Sequence, residues 1–142
     1  MKNILVGLDG SATAPHVLAE AIALARVQNA KLTLVRVVSV PSEVPFEFQP
    51  NLINFEKALI DHANADIAQH AASVPNDMLA SCSVEVATPW DGICRKAKEL
   101  DAAYIVIGSH RYGGLDRLLG TTAAKVVNHA HCSVLVVRRP QA

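Results

Sequence analysis

The sequence predicts an α/β fold: an open, doubly wound, five-stranded parallel sheet with helices on both faces, of the Rossmann-like kind. Three observations carry this expectation. Five short runs of aliphatic and β-branched residues recur, at Ile4 to Leu8, Leu32 to Val38, Ser83 to Ala87, Tyr104 to Ile107 and Val134 to Val137. Several are almost continuously apolar, which is how strands covered by helices on both faces read. The stretches between them have helical period, and regular alternation of strands with helices specifies parallel strands joined by right-handed crossovers.

The first helical stretch sets Val17, Ala21 and Leu24 on one face, with Leu18, Ile22 and Ala25 beside them. Ser11 is its candidate cap, and Pro15 falls in its first turn, where a missing N–H costs little. Leu52 to Ala72 predicts a second, longer helix with Phe55, Leu59 and Ile67 inward. Pro89 opens a third, in which Ile93, Ala97 and Leu100 recur at i, i+4 and i+7. Ala123, Val127 and Ala130 mark the inward face of a fourth. Ser39 to Pro50, with Pro41, Pro45, Glu43 and Glu47, reads as a surface loop. Neither an internal repeat nor a second domain is evident, so a single domain over residues 1–142 is expected.

Bulk properties fit that picture. With 142 residues, 51% of them hydrophobic and 18% charged, the chain is globular in composition. A chain of this size buries roughly 68–70% of the surface it exposes unfolded, so it needs no disulfide or structural metal. The net charge is zero, which argues against a dedicated nucleic-acid binder. Basic residues nevertheless gather in the last third: Arg95, Lys96, Lys98, Arg111, Arg117, Lys125, Arg138 and Arg139 face only Glu99, Asp101 and Asp116. A local surplus of that sign suits a small anion. Cys82, Cys94 and Cys132 are odd in number and share no CxxC spacing, so they are expected as free, buried thiols in a reducing compartment. The first apolar run is broken by Asp9, too soon for a signal peptide, and no stretch offers the ~18 apolar residues of a membrane span. A cytoplasmic protein without membrane contact is expected.

In sheets of this type ligands sit beyond the carboxyl ends of the strands, where strand order reverses. The residues at those ends are Gly7, Leu8, Asp9, Gly10 and Ser11; Val37, Val38 and Ser39; Ala87, Thr88 and Pro89; and the segment Gly108 to Thr122. That segment carries Gly108, Gly113, Gly114 and Gly120, then Thr121 and Thr122, then a helix. Glycines let backbone N–H groups approach an anion, and the helix start adds unpaired N–H groups and the positive end of its dipole. Thr121 and Thr122 can cap that helix and donate to phosphate oxygens. Arg111 can pair with phosphate in a fork, and His110 lies beside it in sequence. The same glycines and Thr121 also make an ordinary turn and cap. Asp9 serves equally as a ligand to a nucleoside or as a turn carboxylate, and Val37 as a cleft wall or a core residue. His129, His131 and Cys132 are too tightly spaced for a metal site, and Trp90 reads as a packing residue.

The run GSHRYGGLDRLLGTTAAKVVNHAHCSVLVVR, together with ILVGLDGS at Ile4 to Ser11, resembles the universal stress protein family, whose length and element order the whole chain matches. The resemblance implies an adenine-nucleotide alpha-hydrolase-like fold that binds ATP, or ADP or AMP, with Mg2+ as a companion. It implies that Gly7, Leu8, Asp9 and Val37 hold the adenosine. It implies that Gly108, Gly120 and Thr121, flanked by Ile107 and Thr122, hold ribose and phosphates in a pattern of glycine, two residues, glycine, nine residues, glycine, then serine or threonine. Arg111 stands where the second glycine belongs, and the loop is one position short. Both features resemble a short-loop subgroup, some members of which bind nucleotide. Ala87 stands where many members have glycine. Members also pair their last strand across a two-fold axis, which implies a homodimer through Ser133 to Val137, an apolar run of high β-propensity.

Rival readings fail on residues. A dinucleotide fold needs GxGxxG after the first strand, where Gly7-Leu8-Asp9-Gly10 stands. No Gly-Lys-Ser/Thr of a P-loop occurs, and a phospho-receiver would need an aspartate where Ala87-Thr88-Pro89 lies. With Asp9 the main acid at the strand ends and Asp116 in the loop, fast phosphoryl transfer is not expected. The expectation is a nucleotide-binding regulatory protein with slow or no hydrolysis; the alternative is a nucleotide-free dimeric interaction module of the same fold.

Overall fold

The computed structural model of the chain describes residues 2–40, 47, 49–109 and 119–138. Among the described residues nine elements alternate: β1 (Lys2–Gly7), α1 (Ala14–Gln28), β2 (Ala30–Val38), α2 (Gln49–Ala72), β3 (Leu79–Val86), α3 (Pro89–Glu99), β4 (Tyr104–Gly108), α4 (Thr121–His129) and β5 (Ser133–Val137). The strands form one parallel sheet in the order β3-β2-β1-β4-β5. From β1 the chain builds outward to β2 and β3, then crosses to β4 and β5 on the other side. Strand order therefore reverses between β1 and β4.

Alternation along β1 explains the two layers. Ile4, Val6 and Leu8 point to one face, where they pack with Leu32 and Leu34 under Val17, Leu18, Ala21 and Ala25 of α1 and Ile67 of α2. Leu5 points to the other, into a cluster with Val35, Ile105 and Ile107 under Ile93 and Ala97 of α3 and Ala123 and Val126 of α4. The central strands thus bury both faces, and Ile4, Leu5, Val6, Ile105 and Val106 are fully buried. An ion pair between Arg36 of β2 and Asp66 of α2, with His70 Nε2 3.8 Å from the other Asp66 oxygen, ties α2 to the sheet. Asn29 closes α1 in the left-handed conformation (φ 51°), its N–H reaching Ala25 O; asparagine tolerates that backbone better than most residues.

Several sequence expectations are corrected. Thr13, not Ser11, is the N-cap of α1; the Ser11 N–H instead donates to Asp9 Oδ1 at 3.0 Å, and its hydroxyl lies 2.8 Å from that of Thr13. α2 begins at Gln49, inside the expected loop, the rest of which lies largely outside the described residues. Phe55 is 52% exposed rather than inward. At 24 residues α2 is about 36 Å long at ~1.5 Å per residue, whereas the eight residues of β3 span about 27 Å. The sheet covers only its later turns, where Ala63 and Ile67 are buried. On α4 the inward residue is Val126, at 0%, and not Val127, at 46%. β3 starts four residues before Ser83, because its first half is largely exposed and carries no apolar run. Cys82 lies on that exposed half and is not buried; Cys94 and Cys132 are half-buried.

Candidate functional site

The carboxyl ends of the strands open into one cleft of about 530 Å³ at the reversal of strand order. Its floor comes from β1 and the turn after it (Gly7, Leu8, Asp9), and its walls from β2 (Val35, Val37) and β4 (Ile107, Gly108). Pro89 and Ile93 of α3 close one side, and Gly120 with Thr121, Thr122 and Ala123 of α4 the other.

Nine of the ten residues singled out in the sequence are brought together here: Gly7, Leu8, Asp9, Val37, Ile107, Gly108, Gly120, Thr121 and Thr122. The tenth, Arg111, lies outside the described residues, as do His110, Gly113, Gly114 and Asp116. Val35, Ile93 and Ala123 complete the described lining without having been singled out for it, together with Pro89, which the sequence places at a strand end. Pro89 carried a usable signal, since it follows a strand end. Ile93 and Ala123 read as core residues by their helical spacing, and they are that as well.

One end of the cleft is aliphatic, built from Val35, Val37, Ile93, Ile107 and Pro89. A Cβ added at Gly7 would lie 3.0 Å from Ile107 Cγ2 and 3.1 Å from Ile93 Cδ1, so the floor is open only because β1 ends in glycine. The opposite end is polar. Gly120, in extended backbone (φ −62°, ψ 162°), is the N-cap of α4, and among the described residues no side chain caps the helix. Thr121 and Thr122 are therefore the first two helical residues and not its caps. The first N–H groups of a helix have no intrahelical acceptor. Together with the dipole, they make this end of the cleft favourable to negative charge. Asp9 lines the cleft and is exposed, with one carboxylate oxygen accepting from the Ser11 N–H.

Behind this wall Trp90 is half-buried between α3 and α4. Its ring centroid lies 4.6 Å from that of His129, and Lys125 Nζ sits 5.6 Å from the ring. His129 Nδ1 in turn lies 2.8 Å from Lys125 O. Burial raises the Cys94 thiol above its ordinary value of 9.0, with Asp91 and Cys132 adding to the rise, and burial alone raises Cys132. Both thiols therefore stay protonated near neutral pH.

Fold and cleft together define a class: doubly wound α/β domains with an open cleft at the switch point of a five-stranded parallel sheet. Within that class the chain belongs to the universal stress protein family, whose model matches residues 1–138. It is 31% identical over 140 residues to universal stress protein A homolog 1 of Coxiella burnetii, covering 96% of this chain and 95% of that one. Its fold superposes with a TM-score of 0.82 on the universal stress protein UspA from Lactobacillus plantarum, 29% identical, over 96% of this chain and 97% of that one. A further universal stress protein, solved in complex with cAMP, is 27% identical with a TM-score of 0.62 over 96% of each chain.

Among the described residues no helix is long and apolar enough to cross a membrane.

Proposed function

We propose that the cleft binds an adenine nucleotide, ATP in the first place with ADP and AMP as related ligands, and that the protein is a cytoplasmic regulator with slow or no hydrolysis. One observation carries the reading. A single cleft joins an aliphatic slot at the ends of β1, β2 and β4 to the start of α4, which no described side chain caps and where Thr121 and Thr122 add hydroxyls. A base fits the first and a phosphate chain the second. Its volume of about 530 Å³ lies within the ~300–1,000 Å³ usual for small-molecule sites. The cAMP held by a relative 27% identical supports the same class of ligand.

Asp9 is the one carboxylate among the described residues that line the cleft. Mg2+ is commonly held by one or two carboxylates plus phosphates and water, so Asp9 fits a companion ion carried on the nucleotide. Fast phosphoryl transfer asks for more, since it needs metal ligands and a group that orients the nucleophile. A turnover near ~1 per second, ordinary for kinases, would overturn the regulatory reading.

β5 is the last strand of the sheet, paired only with β4 among the described residues, and Leu135 at its middle is 36% exposed. An apolar edge of that kind supports pairing with a second copy, and we take the protein to be a homodimer through β5.

Denaturing the purified protein and chromatographing what is released tests the ligand directly, with calorimetric titration of ATP into stripped protein beside it. If the Thr121 hydroxyl donates to a phosphate, Thr121→Ala should weaken ATP by about 1.5–3 kcal/mol, as for a hydrogen bond to a charged group. At ~1.4 kcal/mol per decade, that is roughly 10- to 150-fold in Kd. A dimer that releases no nucleotide and takes up none would be the interaction module instead.

A further inference from the structure

Gly92 is the fourth residue of α3, inside the helix and buried. Glycine at such a position is costly compared with alanine, yet a side chain there has little room. The packing shows why. A Cβ added at Gly92 would fall 3.0 and 3.1 Å from the two methyl groups of Val37 and 3.2 Å from Ala87 Cβ. Unstrained carbon contacts lie at about 3.5–4.0 Å. Ala87 Cβ is fixed to the backbone and cannot turn away. Val37 is β-branched and has few rotamers open to it. The α3 backbone therefore rests directly on the Val37 side chain.

That contact matters because of where it lies. Val37 lines the cleft on the β2 side, and Pro89 and Ile93, on either side of Gly92 in the same helix, line it on the α3 side. We infer that Gly92 is a specificity-determining residue of this cleft: by presenting no side chain it seats α3 against Val37 and sets the width of the aliphatic slot for a flat purine ring. The inference rests on the adenine-nucleotide reading of the cleft. A methyl group at position 92 has two outlets. Val37 is pushed toward the slot, or α3 lifts and carries Pro89 and Ile93 away from it. Either one misfits a ring held between two walls, since a gap of ~0.5–1 Å already forfeits a quarter to a half of each dispersion contact. The polar end is built on α4, which a movement of Val37 leaves in place.

The test titrates ATP and CTP into the wild type, Gly92→Ala, Val37→Ala and the double variant Gly92→Ala/Val37→Ala, with thermal melts alongside. Gly92→Ala should weaken ATP about tenfold and CTP, whose ring is smaller, only a few-fold, so that the preference for ATP falls. Val37→Ala relieves the two shortest contacts while Ala87 Cβ stays in place, so against Val37→Ala alone the double variant should lose no more than half of the preference that Gly92→Ala loses against the wild type. It also replaces Gly92→Ala as the test protein if the single variant does not fold, and must then bind ATP. Wild type that binds ATP beside a folded Gly92→Ala with the same affinity overturns the inference alone. Equal losses for ATP and CTP, or a loss on the Val37→Ala background as large as on the wild type, overturn it too. Wild type that binds no adenine nucleotide removes the reading of the cleft and this inference with it.

Discussion

Valine in place of Gly7 should weaken ATP by more than about a hundredfold, or roughly 3 kcal/mol, near the upper end of what overpacking costs. The position is the end of the central strand and the floor of the cleft. Its neighbours on that side are Ile107 Cγ2 and Ile93 Cδ1, which a Cβ would meet at 3.0 and 3.1 Å. Ile93 Cδ1 ends a flexible side chain and can swing, but both isoleucines already line the cleft, so any retreat changes its shape. The two further methyl groups of valine must occupy space that a ligand would fill. Gly7→Ala is the control, because a single carbon asks its neighbours to yield by only a few tenths of an ångström. Calorimetric titration of both variants checks the expectation, and melting curves separate lost affinity from lost folding. A folded Gly7→Val that binds ATP as wild type does would show that the ligand is not held over β1.

The second large effect concerns assembly. Wild-type protein should sediment as a dimer at micromolar concentration, and Leu135→Lys as a monomer. Leu135 sits in the middle of β5 at the open edge of the sheet. A two-fold interface presents the same patch from both copies, so one substitution brings two lysines together. Like charges set against each other in an interface cost several kcal/mol, enough to weaken the dimer by more than about a hundredfold. Lysine on an exposed edge is also what keeps single sheets from pairing, so the variant should stay folded. Leu135 does not line the cleft, and ATP affinity of the monomer should match that of wild type. Wild type that is already monomeric would sink the dimer.

Much of the architecture follows from local pattern. Five apolar runs separated by helical periods leave little choice but a parallel sheet. A parallel sheet in turn places Gly7, Leu8, Asp9, Val37, Ile107 and Gly108 at one end of the molecule. The clustering of these with Gly120, Thr121 and Thr122 follows from connectivity, because α4 must begin near the end of β4. The errors have a different origin. Val126 and Val127 both fit a helical stripe, one by an i+3 spacing from Ala123 and the other by i+4, and only the lie of α4 on the sheet selects the first. Phe55 fits the stripe of α2, but the helix is longer than the strand beneath it. The first half of β3 has no apolar run because an edge strand is not covered on both faces.

By itself, the sequence determined the fold class, the order of elements and the set of strand ends at which a ligand can sit, since these depend on periodicity and on the handedness of crossovers. Only the tertiary structure decided how closely α3 rests on Val37, which helix faces are buried, and that one cleft joins an aliphatic slot to the start of α4. Those are distances between elements remote in the chain, and no local pattern of residues encodes them.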